Sequence, residues 1–174
     1  TSVKPYPWTI DPSLVTAHAK IRIKQNSDAT GTVYDESNNE FQIKPLLAIG
    51  AIAGSPWTVE EQKSVGWTTV GNLSQLNLYY SSAGQSGPWG SAQITGITAS
   101  GGSTFWTIPT SAVSWGNGVL KLVRVEGGQE DTDVLSKSSN FTIKGKINVS
   151  SPVTNQNYNV QQTGQVNWST IGTV

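Results

Sequence analysis

The sequence predicts an all-β protein made of repeated two-sheet sandwiches, and three observations carry that prediction. Short runs of alternating apolar and polar residues are bounded by Gly, Pro, Asn and Ser at intervals of about 8–12 residues. No stretch sustains a 3.6-residue apolar period over three turns, so almost no helix is expected. The chain also resembles itself at a spacing near 100 residues.

The repeat sets the phase. Trp57-Thr58-Val59, with Val65-Gly66-Trp67 and Gly71 after it, recurs without a gap as Tyr158-Asn159-Val160, Val166-Asn167-Trp168 and Gly172, 101 residues on. Three further blocks agree. Tyr6-Pro7-Trp8-Thr9-Ile10 matches Thr104-Phe105-Trp106-Thr107-Ile108, Lys20-Ile21-Arg22-Ile23 matches Leu122-Val123-Arg124-Val125, and Glu40-Phe41-Gln42-Ile43-Lys44 matches Asn140-Phe141-Thr142-Ile143-Lys144. The period is the size of an immunoglobulin-like sandwich and too long for a propeller blade or a helical solenoid. Residues 1–44 therefore read as the C-terminal half of one module, 45–144 as a complete module, and 145–174 as the N-terminal half of the next. Half a sandwich cannot cover its inner face. Each flanking half is expected to pair with residues beyond 1–174, rather than with the other half across the central module.

Seven strands are expected in the complete module. They are 46–53, 59–69 with Val65 and Trp67 on one face, and 73–81 with Leu76, Leu78 and Tyr80 on one face. A turn at 84–88 leads to a strand within 89–97, then 104–108, which Pro109 ends. Asn117-Gly118 reads as a turn into 119–126, where Val119, Lys121, Val123 and Val125 share a side, and Gly127-Gly128 closes it. The last strand is 139–144, with Phe141 and Ile143 inward.

Composition narrows the function. The 174 residues carry 11 basic and 11 acidic side chains, so charge gives no reason to expect a nucleic-acid partner or an anionic membrane. Cys is absent, which excludes disulfides, thiolate metal sites and thiol catalysis. Seven Trp and 18 Gly suit β-rich extracellular proteins. No apolar run of 18 residues exists, so no membrane insertion is expected. Residues 1–10 show no apolar signal-peptide core. With no initiator Met and a repeat that stops partway at Val174, the sequence reads as a stretch of a longer protein or a mature form.

The blocks resemble the tandem immunoglobulin-like or fibronectin-type-III-like repeats of large bacterial and archaeal surface proteins. The likeness rests on Pro56-Trp57-Thr58-Val59, Val65-Gly66-Trp67 with Gly71, and Leu76-Asn77-Leu78-Tyr79-Tyr80-Ser81 with Trp89. Gly102-Ser103-Thr104-Phe105-Trp106-Thr107-Ile108-Pro109, Leu122-Val123-Arg124-Val125 and Ser138-Ser139-Asn140-Phe141-Thr142-Ile143 complete it. It departs at Glu60, where such modules carry Gly. The resemblance implies a structural, surface-located protein, a surface-layer protein foremost.

Few residues point to chemistry. His18 stands alone, without Cys, a second His or a Gly-x-Ser-x-Gly elbow, so no catalytic residue, no cofactor and no enzyme is expected. Glu126, Glu130, Asp131 and Asp133 surround Gly127-Gly128; as oxygen donors on a loop, Glu130, Asp131 and Asp133 are weak calcium candidates beside the simpler reading of a solvated hairpin tip. Asp35-Glu36-Ser37-Asn38 holds the equivalent place in the first segment, with its acids out of step. Trp67, Trp106 and Trp168 recur at repeat positions and are expected in the core. Trp89 and Trp115 flank Gly-rich turns and are candidate exposed contacts for a sugar. Asn-x-Ser/Thr triplets begin at Asn72, Asn140, Asn148 and Asn167; Asn72 and Asn148 are the better glycosylation candidates, because Asn140 and Asn167 fall in expected strands. The function expected is a building block of a prokaryotic cell-surface lattice or fibre, extracellular and self-associating through strand edges. The alternative is an accessory or carbohydrate-binding module of a secreted glycan-active enzyme or adhesin, with a cell-wall or surface glycan as partner.

Overall fold

The structure is a computed structural model that describes residues 5–27 and 29–174. Its strands in chain order are β1 (Thr16–Ala19), β2 (Arg22–Lys24), β3 (Tyr34–Glu36), β4 (Phe41–Ile43), β5 (Leu46–Ile49), β6 (Trp57–Thr58), β7 (Gln62–Val70), β8 (Gln75–Ser81), β9 (Ile94–Thr98), β10 (Ser103–Thr107), β11 (Ser114–Glu126), β12 (Gln129–Lys137), β13 (Phe141–Lys144), β14 (Lys146–Ser151) and β15 (Asn167–Ile171). Short 3₁₀ turns at Pro12–Leu14 and Ala99–Gly101 are the only helical elements among the described residues. The protein is all-β.

Residues 46–144 form two sheets around one core. The smaller has the order β10-β7-β5, and the larger β6-β13-β11-β8-β9, with β12 also on β11. Val65 and Trp67 from β7 and Trp106 from β10 meet Leu76 and Leu78 from β8, Leu120 and Leu122 from β11, and Phe141 and Ile143 from β13. This is the arrangement of a β-sandwich, alternate residues pointing inward from each sheet. An aromatic group fills its middle: Trp57 lies 5.0 Å from Phe141, and Tyr80 5.3 Å from Trp106, between ring centroids. The buried indole of Trp67 donates its Nε1–H to the Ala99 carbonyl at 2.7 Å, and Trp57 does the same to Ala53 at 2.8 Å. A buried ring can thus keep its polar edge satisfied.

Several expectations change. Nine strands, not seven, lie between Leu46 and Lys144. Asn117-Gly118 is not a turn; β11 runs straight through it. The register against β13 slips between Ser114 and Gly118, and Gly116 adopts φ +88°, so the Gly-rich stretch is a bulge inside a strand. The strand expected within 89–97 is β9, Ile94–Thr98, which starts five residues later than position 89 and leaves Trp89 on a loop. The Val119, Lys121, Val123, Val125 side of β11 is the outer one, while Leu120 and Leu122 face the core. Val119 and Val123 are buried all the same; β8 pairs with both, and β12 with Val123.

Local geometry recurs with the sequence period. Thr16 pairs with Ile43 and Ala19 with Phe41; Ser114 pairs with Ile143 and Gly118 with Phe141. Leu46 faces Val70 and Ile49 faces Trp67; Lys146 faces Ile171 and Val149 faces Trp168. In the turn after β6 the Thr58 amide donates to Glu61 Oε2 at 3.0 Å, and the Asn159 amide donates to Gln162 Oε1 at 3.0 Å. Glu60 and Gln161, the third residues of these two turns, adopt φ of 68° and 70°. Left-handed backbone at that position is where Gly costs least, which gives the departure at Glu60 a physical meaning.

The flanking segments stay open. Val59 is 1% exposed and its counterpart Val160 is 94%; Trp67 is 5% exposed and Trp168 is 62%. Trp168 is therefore not a core residue among the described contacts. Among the described residues β15 pairs only with β14, and no strand occupies the place that β8, β10 and β11 fill for Trp67. Ile10, Ile23 and Tyr34 in the first segment are exposed likewise. No strand of the first segment pairs with β14 or β15 among the described residues.

Candidate functional site

Three places on the surface hold arrangements that sequence patterns alone do not explain. The first joins the outer segments to the central sandwich. Gly71 ends β7 with φ +89°, and a Cβ there would stand 2.7 Å from Val15 Cγ2, 3.2 Å from Pro45 Cβ and 3.3 Å from the Pro12 carbonyl oxygen. Gly172 ends β15 with φ +73°, and a Cβ there would stand 2.8 Å from Val113 Cγ2, 3.0 Å from the Thr110 carbonyl oxygen and 3.5 Å from Gly145 Cα. Each partner of Gly172 is the repeat counterpart of a partner of Gly71. The segment before is folded the same way in both, with Leu14 N–H donating to the Asp11 carbonyl and Ala112 N–H to that of Pro109, each at 3.0 Å. One joint is thus built twice, and at each copy only a residue without a side chain permits the approach.

The second place adds charge beside the first joint. Lys44, at the end of the first segment, reaches β12, with Nζ 2.5 Å from Asp133 Oδ2 and 3.5 Å from Asp131 Oδ1. Asp131 Oδ2 also accepts from Arg124 Nη1 at 3.2 Å, and Arg124 Nη2 donates to Glu126 Oε2 at 2.8 Å. The hydrogen bond it donates to Asp133 holds the Lys44 ammonium above its usual pKa. Partial burial works against the Asp131 carboxylate, yet the Asp133 amide, Lys44 and Arg124 together keep it below its usual value. A cleft of about 510 Å³ lies here, lined by residues that include Thr16, Lys44, Asn72, Arg124 and Asp131.

The calcium candidates do not converge. They belong to strand β12, not to a turn, and Glu130 lies apart from Asp131 and Asp133, which share Lys44. Glu130 points across the sheet and accepts from Tyr79 Oη and Asn77 Nδ2, at 2.5 and 2.7 Å. Asp131 and Asp133 are taken by cations. No group of three His, Cys, Asp or Glu side chains placed to hold a metal occurs among the described residues. His18 lies on β1, exposed, with Nδ1 2.7 Å from Glu40 Oε2. Asn72 sits on the exposed loop between β7 and β8, and Asn148 is exposed within β14. Asn140 precedes β13, and Asn167 begins β15.

The third place is the outer face of the larger sheet. Trp115 is 70% exposed at the start of β11. Trp89 is half-buried, lying against lysines: Lys121 Nζ is 4.5 Å from the Trp89 centroid and 4.5 Å from that of Tyr79, and Lys137 Nζ is 5.4 Å from Trp89. The sequence could not show this grouping, because it depends on β12, and β12 is too acidic to read as a strand. The glycines of the joint, by contrast, stand inside the repeat block and were visible in it.

A scan against protein-family models finds no match to this chain, and no curated protein matches it. No helix among the described residues is long and apolar enough to cross a membrane.

Proposed function

We propose that this chain is a structural building block of a prokaryotic cell-surface assembly, a surface-layer lattice or a surface fibre. In this reading, immunoglobulin-like sandwiches follow one another in tandem and act as extracellular spacers and subunit contacts. The single observation that supports it best is the joint built twice, around Gly71 and around Gly172. A chain whose successive sandwiches meet through one repeated contact places each unit in a fixed relation to the last.

The test combines place and shape. Immunogold labelling of producing cells is expected at the envelope surface in a regular array. Small-angle scattering of the protein is expected to change on Gly71→Val and on Gly172→Val, each loosening one end of the molecule. Labelling confined to the cell interior would overturn the reading, and so would variants that leave the scattering curve unchanged. One observation favours the second reading, a carbohydrate-binding module: Trp89 is held in place, partly open, on a sheet face.

A further inference from the structure

We propose that the outer face of β8, β11 and β12 binds an acidic saccharide, with a sugar ring against Trp89 and its carboxylate at the Lys121–Lys137 pair. The inference deepens the carbohydrate-binding reading and rests on it; the tandem-array reading is independent of it.

The first observation is an uncompensated charge. Lys121 and Lys137 are direct cross-strand partners, and like charges placed opposite each other on a sheet repel. Among the described residues no carboxylate lies within 4.0 Å of either ammonium. Lys137 Nζ donates to the Gln85 carbonyl at 2.7 Å, and Lys121 Nζ lies over the faces of Tyr79 and Trp89. Burial and the neighbouring Lys137 both push the Lys121 ammonium pKa down, against the pull of Glu130. Glu130, the acid on this face, spends one oxygen on Tyr79 and Asn77. Two lysines and one glutamate leave the face positive.

The second observation is that the ring is fixed in advance. Gly87 adopts φ +85°, and a Cβ there would stand 2.7 Å from Trp89 Cδ1 and 2.9 Å from Trp89 Nε1. The indole thus folds back onto the one residue type that can accept it. Its loop is tied to the sheet, Gln85 Nε2 donating to the Ser138 carbonyl at 2.8 Å and to Asn140 Oδ1 at 3.0 Å. A ring already ordered loses little further freedom on binding. The C–H face of a pyranose packs on an indole, and a uronate carries its carboxylate rigidly at the ring edge, within reach of ammonium groups beside that indole. An acidic peptide would gain only the charge attraction.

The experiment titrates the full chain with trigalacturonic acid, by calorimetry and by the Trp89 indole signal in ¹⁵N spectra. Saturable binding that weakens as salt rises is expected. Trp89→Ala should weaken it at least tenfold, as should the Lys121→Gln/Lys137→Gln pair. Gly87→Ala keeps all three side chains but displaces the ring, and should weaken it comparably; unfolding curves check that each variant is folded. Absence of binding at millimolar sugar would overturn the proposal. Equal binding of neutral galactotriose would overturn the acidic specificity while the sugar-binding reading survives. Equal binding of polyglutamate would overturn the saccharide itself.

Discussion

Two tryptophans at one repeat position differ by what surrounds them, and that difference is measurable. Trp67 is enclosed by both sheets and donates to Ala99, so Trp67→Ala should cost about 3–5 kcal/mol, the usual price of a large core truncation. Trp168→Ala, at an exposed ring, should cost under about 1 kcal/mol in the same denaturant unfolding series. Glu60 gives a prediction of opposite sign. Its left-handed backbone costs a residue with a Cβ about 1–2 kcal/mol, and the entropy glycine loses on folding returns about 0.5–1 kcal/mol of that. Its contact with Lys146 at 3.6 Å joins two well-exposed groups and adds little. Glu60→Gly should therefore leave the melting temperature unchanged or raise it by a few degrees. At this scale the sequence was informative. Trp67, Trp106 and Phe141 are legible as core because their positions repeat and alternate; Trp168 was not, because burial depends on what a ring meets, and a repeat cannot supply that.

Among the elements, β7 and β8 are legible because Val65 and Trp67, and Leu76 and Leu78, alternate with polar residues. β12 is not. Glu130, Asp131 and Asp133 are poor strand formers; they are held extended by the β11 ladder and by Tyr79, Arg124 and Lys44, which lie far off in sequence. Asn117-Gly118 was misread for the opposite reason, since the same dipeptide serves a turn or a bulge. The Lys44 bridge to β12 makes the docking of the first segment depend on pH. Asp131 titrates below its ordinary 3.8, so its contribution is present above that value and is lost as pH falls through the lowered one. Lys44 titrates above its ordinary 10.5, so its contribution is present below that value and is lost as pH rises through the raised one. Hydrogen exchange of 12–44 should be slowest between about pH 4 and 10 after correction for intrinsic rates, and faster on either side; Lys44→Ala should flatten that dependence.

For the whole molecule, the two joints are close-packed contacts rather than charge pairs. Scattering profiles should therefore stay constant between about 0.15 and 1 M salt, where exposed ion pairs are screened. Gly71→Val should alter them at every salt concentration. A profile that drifts with salt in the native protein would assign the joint to Lys44 instead. The repeat predicts a module length and a phase, and the joint glycines stand inside its blocks; their close approaches needed coordinates, because the partners are backbone atoms and small side chains far off in sequence.

The parallel pairing of β6 with β13 bears on how such a unit meets force. Ile143 faces Trp57 and Lys144 faces Thr58, and the Val59 amide donates to the Lys144 carbonyl at 3.0 Å. β13 leads to the exit of the sandwich at Gly145, and β6 is the strand after β5, which follows the entry at Pro45 and pairs with β7. Once β5 is drawn off β7, tension through the two ends slides β6 along β13, so the bonds between them bear the load together instead of opening one by one. Trp57 and Ile143, both buried at that contact, stand behind the bonds and resist the slip. Forced extension reads the barrier to unfolding rather than equilibrium stability, and the short strand at Trp57–Thr58 is where that barrier would be set.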